Sequence, residues 1–474
     1  MTIARELAKF ALGVKFGNLP KEVVHEAKRA VLDTLGCAIG AYSGAPSSII
    51  QGLIKELGGR KEATVIGSGL RTSCLNAILA NGVMVRYLDF NDTYLFTVGP
   101  LITGSHPSEI IPGALALGER EHSTGCDVLT AIVAGYEIAA RFMHAMVVPL
   151  SATPVLGAKG WNEDTRGIFV MPIVAGKLLK LNEEKMEQAI GISGCHNMVL
   201  GILDATGEEY SMTKNLRFPR TAYGGVMSAL MAEKGFTGPT RVIEGNKGFI
   251  EAVMRGDFNV EKLTGSGERF KILDTIYKSV ASDATMQGHL TATLQLAKEH
   301  DIKPEDVAEV KILATSRCTE HTGDPLKRHP NTKESADHSS YYTTAVALID
   351  RRLGPDQFTP RKMKDPKVHQ LIDRVRMEAD PSLDRFGRAG ITEIRLKNGV
   401  SYKKRVEYPK GDPLNPMTDQ ELEDKFRNMA EKFMTKEQIK KAIATIDELD
   451  KLDDINKLMK TMIFKKQKKA MKIV

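Results

Sequence analysis

The chain has 474 residues, 42% hydrophobic and 26% charged, a balance that excludes extended disorder and supplies apolar surface for more than one core, so two domains are expected. The formal net charge of +7 is concentrated at one end: residues 460–474, KTMIFKKQKKAMKIV, hold six lysines and no acid. The body is therefore nearly neutral, which argues against binding of nucleic acid or of a membrane surface, and the tail reads as a solvated face without a part in any pocket.

The N-terminal MTIARELAKFALGVKFG carries charges through its apolar residues, unlike a signal-peptide core, and no run of about 18 apolar residues occurs. Five cysteines, Cys37, Cys74, Cys126, Cys195 and Cys318, are spread without a C-x-x-C pair, which fits a reducing compartment and speaks against zinc knuckles and the usual iron–sulfur spacings. A cytoplasmic protein is expected. From Leu19 to about residue 255 the sequence reads as successive helices. KEVVHEAKRAVLDTLGCAIGAYS places Val23, Val24, Ala27, Val31, Leu32 and Leu35 on one face at the 3.6-residue period. SEIIPGALALGERE, GCDVLTAIVAGYEIAARFMHAMV and TRGIFVMPIVAGKLLKL are rich in alanine and glycine, as closely packed helices require. Asn182 is placed to cap the next helix. The spacing predicts an all-helical layer.

The pattern changes near residue 270. A helix, a proline-containing turn and an alternating strand over Val307–Ala314 are expected, followed by a hairpin within residues 391–408 turning at Asn398-Gly399. Helices return with capping boxes at Thr418/Glu421 and Thr435/Gln438. The expected fold class is mainly α: a large all-helical domain formed by both chain ends, residues 1–268 and 409–474, with a smaller α+β lid domain, residues 269–408, inserted between them.

The chain has no P-loop, H-E-x-x-H, G-x-S-x-G or Rossmann fingerprint. Its polar residues instead cluster at breaks between apolar helices: RYLDFNDT (86–93) with His106, GWNEDTR (160–166), GEEYSMTKNLRFPR (207–220), IYKSVASDATMQGH (276–289) and ADHSSYY (336–342). Taken singly each has a plain reading. Asp89, Asn91 and Thr93 suit helix caps, Lys214 a solvated cation, Arg217 and Arg220 a surface loop, His338 a helix terminus and Tyr342 a core aromatic.

Taken in order, RYLDFNDT, GSHPS, GYEIAARF, SMTKNLRFPRTAYGGVMSALMAEKGFTGP, ADHSSYYTTAVALIDRRLGPDQFT and KGDPLNPMT closely resemble the MmgE/PrpD family over almost the whole chain. The resemblance implies a homodimer, with helical domain and lid enclosing a pocket for a small carboxylate substrate. It assigns the pocket wall to Asp89, Thr93, His106, Lys214, Lys278 and Tyr342 as catalytic residues, with Arg86, Asn162, Arg217, Asp283 and Gln287 binding substrate. The implied reaction is a hydro-lyase dehydration of a small hydroxy tri- or dicarboxylate, in the first place 2-methylcitrate to 2-methyl-cis-aconitate. Other readings are epimerisation or isomerisation by α-proton transfer, decarboxylation of cis-aconitate, and noncatalytic binding.

The chemistry suits those residue types. Charge gathers on carboxylate oxygens as the proton leaves, so fixed cations such as Lys214 and Lys278, with Arg86 or Arg217, stabilise it. His106 is the candidate acid or base; Asp89 either orients it or supplies the acid, and Tyr342 protonates or holds the leaving oxygen. The scheme needs neither metal nor cofactor. The sequence departs from its family in places: relatives that decarboxylate cis-aconitate have histidines where this chain aligns Asn162 and Asp283, and the dehydratases have one at Thr285. His289, one helical turn on, is the expected substitute.

Overall fold

The apolar period of the first half folds as helix. In a computed structural model of the protein, residues 1–98, 101–147, 159–196, 198–265 and 269–465 are described. Helices occupy Lys21–Gly40, Cys74–Tyr87, Ile111–Glu121, Gly125–Ala145, Gly167–Leu178, Glu183–Gly194 and Arg217–Glu233. Val23, Ala27, Val31, Leu32 and Leu35 are buried as their spacing requires, and Val24 is half-buried. Asn182 caps its helix by accepting from the Lys185 amide at 2.9 Å. Glycine permits the close approach of these helices: a Cβ on Gly135 would stand 2.4 Å from Ile110 Cδ1 and 2.6 Å from Val174 Cγ2.

The layer is not wholly helical. Ala63–Thr64 (β1) pairs with Arg71–Thr72 (β2), and Tyr94–Val98 (β3) pairs antiparallel with Leu101–Ser105 (β4). YLFTV is rich in aromatic and β-branched residues, which favour a pleated surface. The polar residues just before it drew attention to the segment as a site wall and hid its strand character.

The strand Val307–Ala314 (β5) forms over the expected residues, and Gly390–Leu396 (β7) and Ser401–Val406 (β8) form the expected hairpin around Gly399, whose φ of +87° needs glycine. Val375–Ala379 (β6), not foreseen, pairs parallel with β5 and completes a four-stranded sheet of order β6-β5-β7-β8. Val375, Met377 and Ala379 do alternate with Arg376 and Glu378, but the run is short and only Val375 is buried, so the signal is weak. The helices Gln287–Glu299 and Ser340–Asp350 accompany this sheet.

Both capping boxes are present, at Thr418/Glu421 and Thr435/Gln438. The helix Asp419–Ala430 lies on Lys21–Gly40, where a Cβ on Gly36 would meet Met429 Cε at 2.8 Å. Lys425 donates to Asp33 at 2.7 Å and to the Phe90 carbonyl at 2.7 Å, tying the chain's late helix to the entrance of the polar segment. The apolar core is continuous from Ile3 to Met462 and includes the buried face of the sheet, apart from a small cluster around Leu383, Ala389 and Ile391. The fold is mainly α. Residues 466–474 of the basic tail lie outside the described residues.

Candidate active site

The helix Cys74–Tyr87 ends with Leu88, and Asp89 follows in the left-handed region at φ +48°, a conformation aspartate tolerates better than most residues. This turn aims the Asp89 carboxylate inward rather than at backbone amides. Arg86 reaches it at 3.1 and 3.2 Å, Lys214 at 2.8 Å, and Lys278 bonds its other oxygen while also donating to the Asp89 carbonyl at 3.0 Å. Burial alone would raise the Asp89 pKa, but Arg86, Lys214, Lys278 and His338 outweigh it and hold the carboxyl well below its ordinary value. Asp89 is thus an ionised hub binding the neighbouring Arg86 and two lysines from distant parts of the chain, not an acid.

Beside the hub, His106 precedes Pro107 at the start of a short 3₁₀ turn. Its Nδ1 lies 2.6 Å from the Asp92 carbonyl, an acceptor only, so Nδ1 carries the proton and Nε2 keeps a lone pair. Burial, with Arg86, Lys278 and Arg217 adding to it, holds His106 well below the ordinary imidazole value. Neutral Nε2 is the form a general base needs. The supporting strap is held by its neighbours: Asn91 donates to Ser108, Thr93 to the Ser105 carbonyl, and Tyr136 to the Asp92 carboxylate at 2.7 Å. Burial pushes the Asp92 carboxyl up to about 7.

His106 faces a cavity of about 740 Å³ between elements of the first half and residues 283–338. Arg86, Thr93, Asn162, Arg217 and Asp283 also line it, together with Ser105, Trp161, Thr285, Arg317, His321 and His338. Its charges are Arg86, Arg217 and Arg317 against Glu163, Asp204, Glu208, Asp283 and Glu320. Arg217 is held by Asp164 and, at 2.5 Å, by Asp204; Asn162 braces Asp204 at 2.9 Å and caps the following turn. Asp283 caps its own turn through Thr285 and has Oδ2 3.6 Å from His338 Nε2.

Of the residues expected at the site, Arg86, Thr93, His106, Asn162, Arg217 and Asp283 therefore line the cavity. Asp89, Lys214 and Lys278 form the buried ionic cluster in contact with Arg86 and His338. The two lysines are spent on Asp89 instead of pointing at open space, because a buried ammonium requires a paired anion. Gln287 and Tyr342 are placed elsewhere. Gln287 accepts from the Ser279 amide at 3.0 Å and donates to the Val280 carbonyl at 3.0 Å, bracing the loop that carries Lys278. Tyr342 is fully buried and donates to the Gln357 carbonyl at 2.5 Å. His289, expected to stand in for a missing imidazole, is buried away from the lining, and burial lowers it to about 3.

Tyr342→Phe should accordingly leave turnover within about twofold while removing ~1–3 kcal/mol of stability by stranding a buried carbonyl. Steady-state kinetics and urea denaturation of the same variant check both halves.

Sequence reasoning read His338 as a helix terminus and passed over Asp337 and His321. Asp337 accepts from His338 Nδ1 at 2.5 Å, fixing the proton there and turning Nε2 toward Asp89 Oδ2 at 3.3 Å. Burial and Lys214 lower the His338 pKa against the pull of Asp89 and Asp337. The D-H pair in ADHSSYY was visible, but the reading favoured the tyrosine at its end. His321 lies in the helix Ser316–Thr322 directly after β5; a helix so poor in apolar residues at the end of a buried strand was the available signal.

Comparison with known proteins agrees with the motif order. The MmgE/PrpD N-terminal domain matches residues 5–261 and the MmgE/PrpD C-terminal domain residues 281–451. Cis-aconitate decarboxylase from Homo sapiens is 24% identical, covering 96% of this chain and 94% of its own length. 2-Methylcitrate dehydratase from Cupriavidus necator is 26% identical over 89% of each chain, and that from Escherichia coli (strain K12) 23% over 87% of each. Among the described residues no helix is long and apolar enough to cross a membrane. With both domains of the family matched in order, the chain belongs to the MmgE/PrpD family.

Proposed function

We propose that this protein is a lyase acting on a small tri- or dicarboxylate, and that its reaction is dehydration of a 2-methylcitrate-like hydroxy acid. The observation that carries the reading is His106: a buried, neutral imidazole whose Nδ1 is committed to the Asp92 carbonyl and whose Nε2 borders a cavity that also holds Arg86 and Arg217. In this reading Nε2 removes the proton beside a substrate carboxylate. The guanidiniums and the adjacent Asp89 cluster stabilise charge on that carboxylate as the bond breaks. His338, oriented by Asp337, also lines the cavity and manages the proton of the departing hydroxyl.

The strand-bearing segment within residues 269–408 acts as a lid contributing Asp283, His321 and His338, and the active form is a cytoplasmic homodimer. Epimerisation would use the same base without a leaving group; proton exchange from deuterated water without loss of water would identify it. Decarboxylation is the second lyase reading, favoured by relatives named cis-aconitate decarboxylase. The family resemblance implies histidines in those relatives where this chain has Asn162 and Asp283, which favours dehydration.

Incubating the purified protein separately with 2-methylcitrate, citrate and cis-aconitate tests this. Dehydration is expected to raise the ultraviolet absorbance of a conjugated double bond with the first two acids. Carbon dioxide release from cis-aconitate would reverse the order of the two lyase readings, and silence with all three would reject the substrate class.

A further inference from the structure

One part of the cavity lining has no task in the proton chemistry. Residues 160–162 run antiparallel to residues 199–201: Trp161 stands opposite Leu200, the Asn162 amide donates to the Val199 carbonyl at 2.9 Å, and the Gly201 amide donates to the Gly160 carbonyl at 2.8 Å. Residues directly opposite in such a ribbon present their side chains on one face. Trp161, Leu200 and the following Ile202 all line the cavity. Leu200 is 57% exposed and Ile202 66%, so two large aliphatic side chains stand open to water beside an indole. Apolar surface held open on a cavity wall gains free energy from an apolar group that covers it.

This ribbon is joined to the polar part of the site. Asn162, next to Trp161, donates to Asp204 at 2.9 Å, and Asp204, two residues after Ile202, holds Arg217 at 2.5 Å. A carboxylate that meets Arg217 therefore brings its own substituents toward the ribbon. The cavity has room for them: about 740 Å³ lies within the ~300–1,000 Å³ that enclose drug-sized ligands, more than a citrate with one methyl branch takes up.

We propose, on the basis of the carboxylate-lyase reading above, that the substrate is a di- or tricarboxylate bearing an alkyl chain longer than methyl, and that this chain lies on Trp161, Leu200 and Ile202. Each methylene removed from water there strengthens binding by up to about fourfold. A carboxylate or hydroxyl in the same place would be desolvated against Leu200 and Ile202, whose side chains offer no hydrogen-bond partner. The ribbon thus selects among acids that share one polar head.

Succinate and its 2-methyl, 2-ethyl, 2-propyl and 2-butyl derivatives test this without turnover, since they carry no hydroxyl to eliminate. Calorimetric titration of the full-length protein is expected to show Kd falling ~2- to 4-fold per methylene beyond methyl. Trp161 is the only tryptophan in the chain, so a fluorescence change that grows with chain length places the alkyl group beside it. The double variant Leu200→Ser, Ile202→Ser should flatten the gradient, and Leu414→Ser, at an exposed leucine outside the lining, should preserve it. A Kd independent of chain length, with methylsuccinate still bound, overturns the proposal and leaves the carboxylate reading standing; binding of no member of the series rejects that reading and the proposal with it. Sedimentation of the same proteins covers the other occupant of an apolar face. A double variant that loses an oligomer present in the parent, yet keeps the gradient, assigns the face to a second copy of the chain and overturns the proposal.

Discussion

His106→Ala is expected to lower turnover of the accepted substrate by ~10² to 10⁴-fold, the usual contribution of a positioned acid or base, while the substrate's affinity changes far less. The reason is positional. His106 Nε2 is the lone pair left on the cavity side when Nδ1 is committed to the Asp92 carbonyl. An effect confined to KM would mean that the ring only binds substrate. The pH profile gives a second reading. An unperturbed histidine loses its basic form near pH ~6.5, whereas burial and Arg86 push His106 well below that, so the base remains active as pH falls through neutrality. The acidic limb of kcat/KM should therefore lie below pH ~6.5; a limb at ordinary histidine pH in the wild-type protein, lost in the variant, would contradict the burial argument.

Asp89→Asn should be the most destabilising single change at the site, by ~3–5 kcal/mol, because it leaves buried cations without their anion. Arg86, Lys214 and Lys278 are each about 1% exposed or less, so water cannot replace the carboxylate. Urea denaturation at neutral pH measures the loss. The sign of the pH dependence follows from the same contacts. Asp89 is held below its unfolded value, so its stabilisation is complete above that value and is lost as pH falls through the folded one. The wild-type protein should lose part of its stability in the acid range, and the variant should lack that component. A variant as stable as the parent would show that the cations are satisfied by Asp337 and Glu109 alone, which lie 3.8 Å from Lys214 and 3.2 Å from Arg86.

Much of the scaffold was legible because its signals are local. The period in KEVVHEAKRAVLDTLG, the Asn182 cap, the alternation of β5, the Asn398-Gly399 turn and the two capping boxes each depend on residues a few positions apart. β6 was missed because its partner β5 lies some sixty residues away and its own alternating run is short, with only Val375 buried. The hairpin β3–β4 was missed because interest in its polar approach displaced attention from YLFTV.

The site divides along the same line. The sequence by itself determined the family, the mainly helical fold and the segments that would hold polar side chains, since motif order and apolar period survive without any knowledge of contacts. Only the tertiary structure decided how those side chains are used. It placed Lys214 and Lys278 on Asp89, withdrew Tyr342 and Gln287 into bracing roles, and brought His321 and His338 to the cavity beside Asp283. The physical reason is that a buried charge takes its meaning from what pairs with it, and those partners lie 125 and 189 residues from Asp89 along the chain.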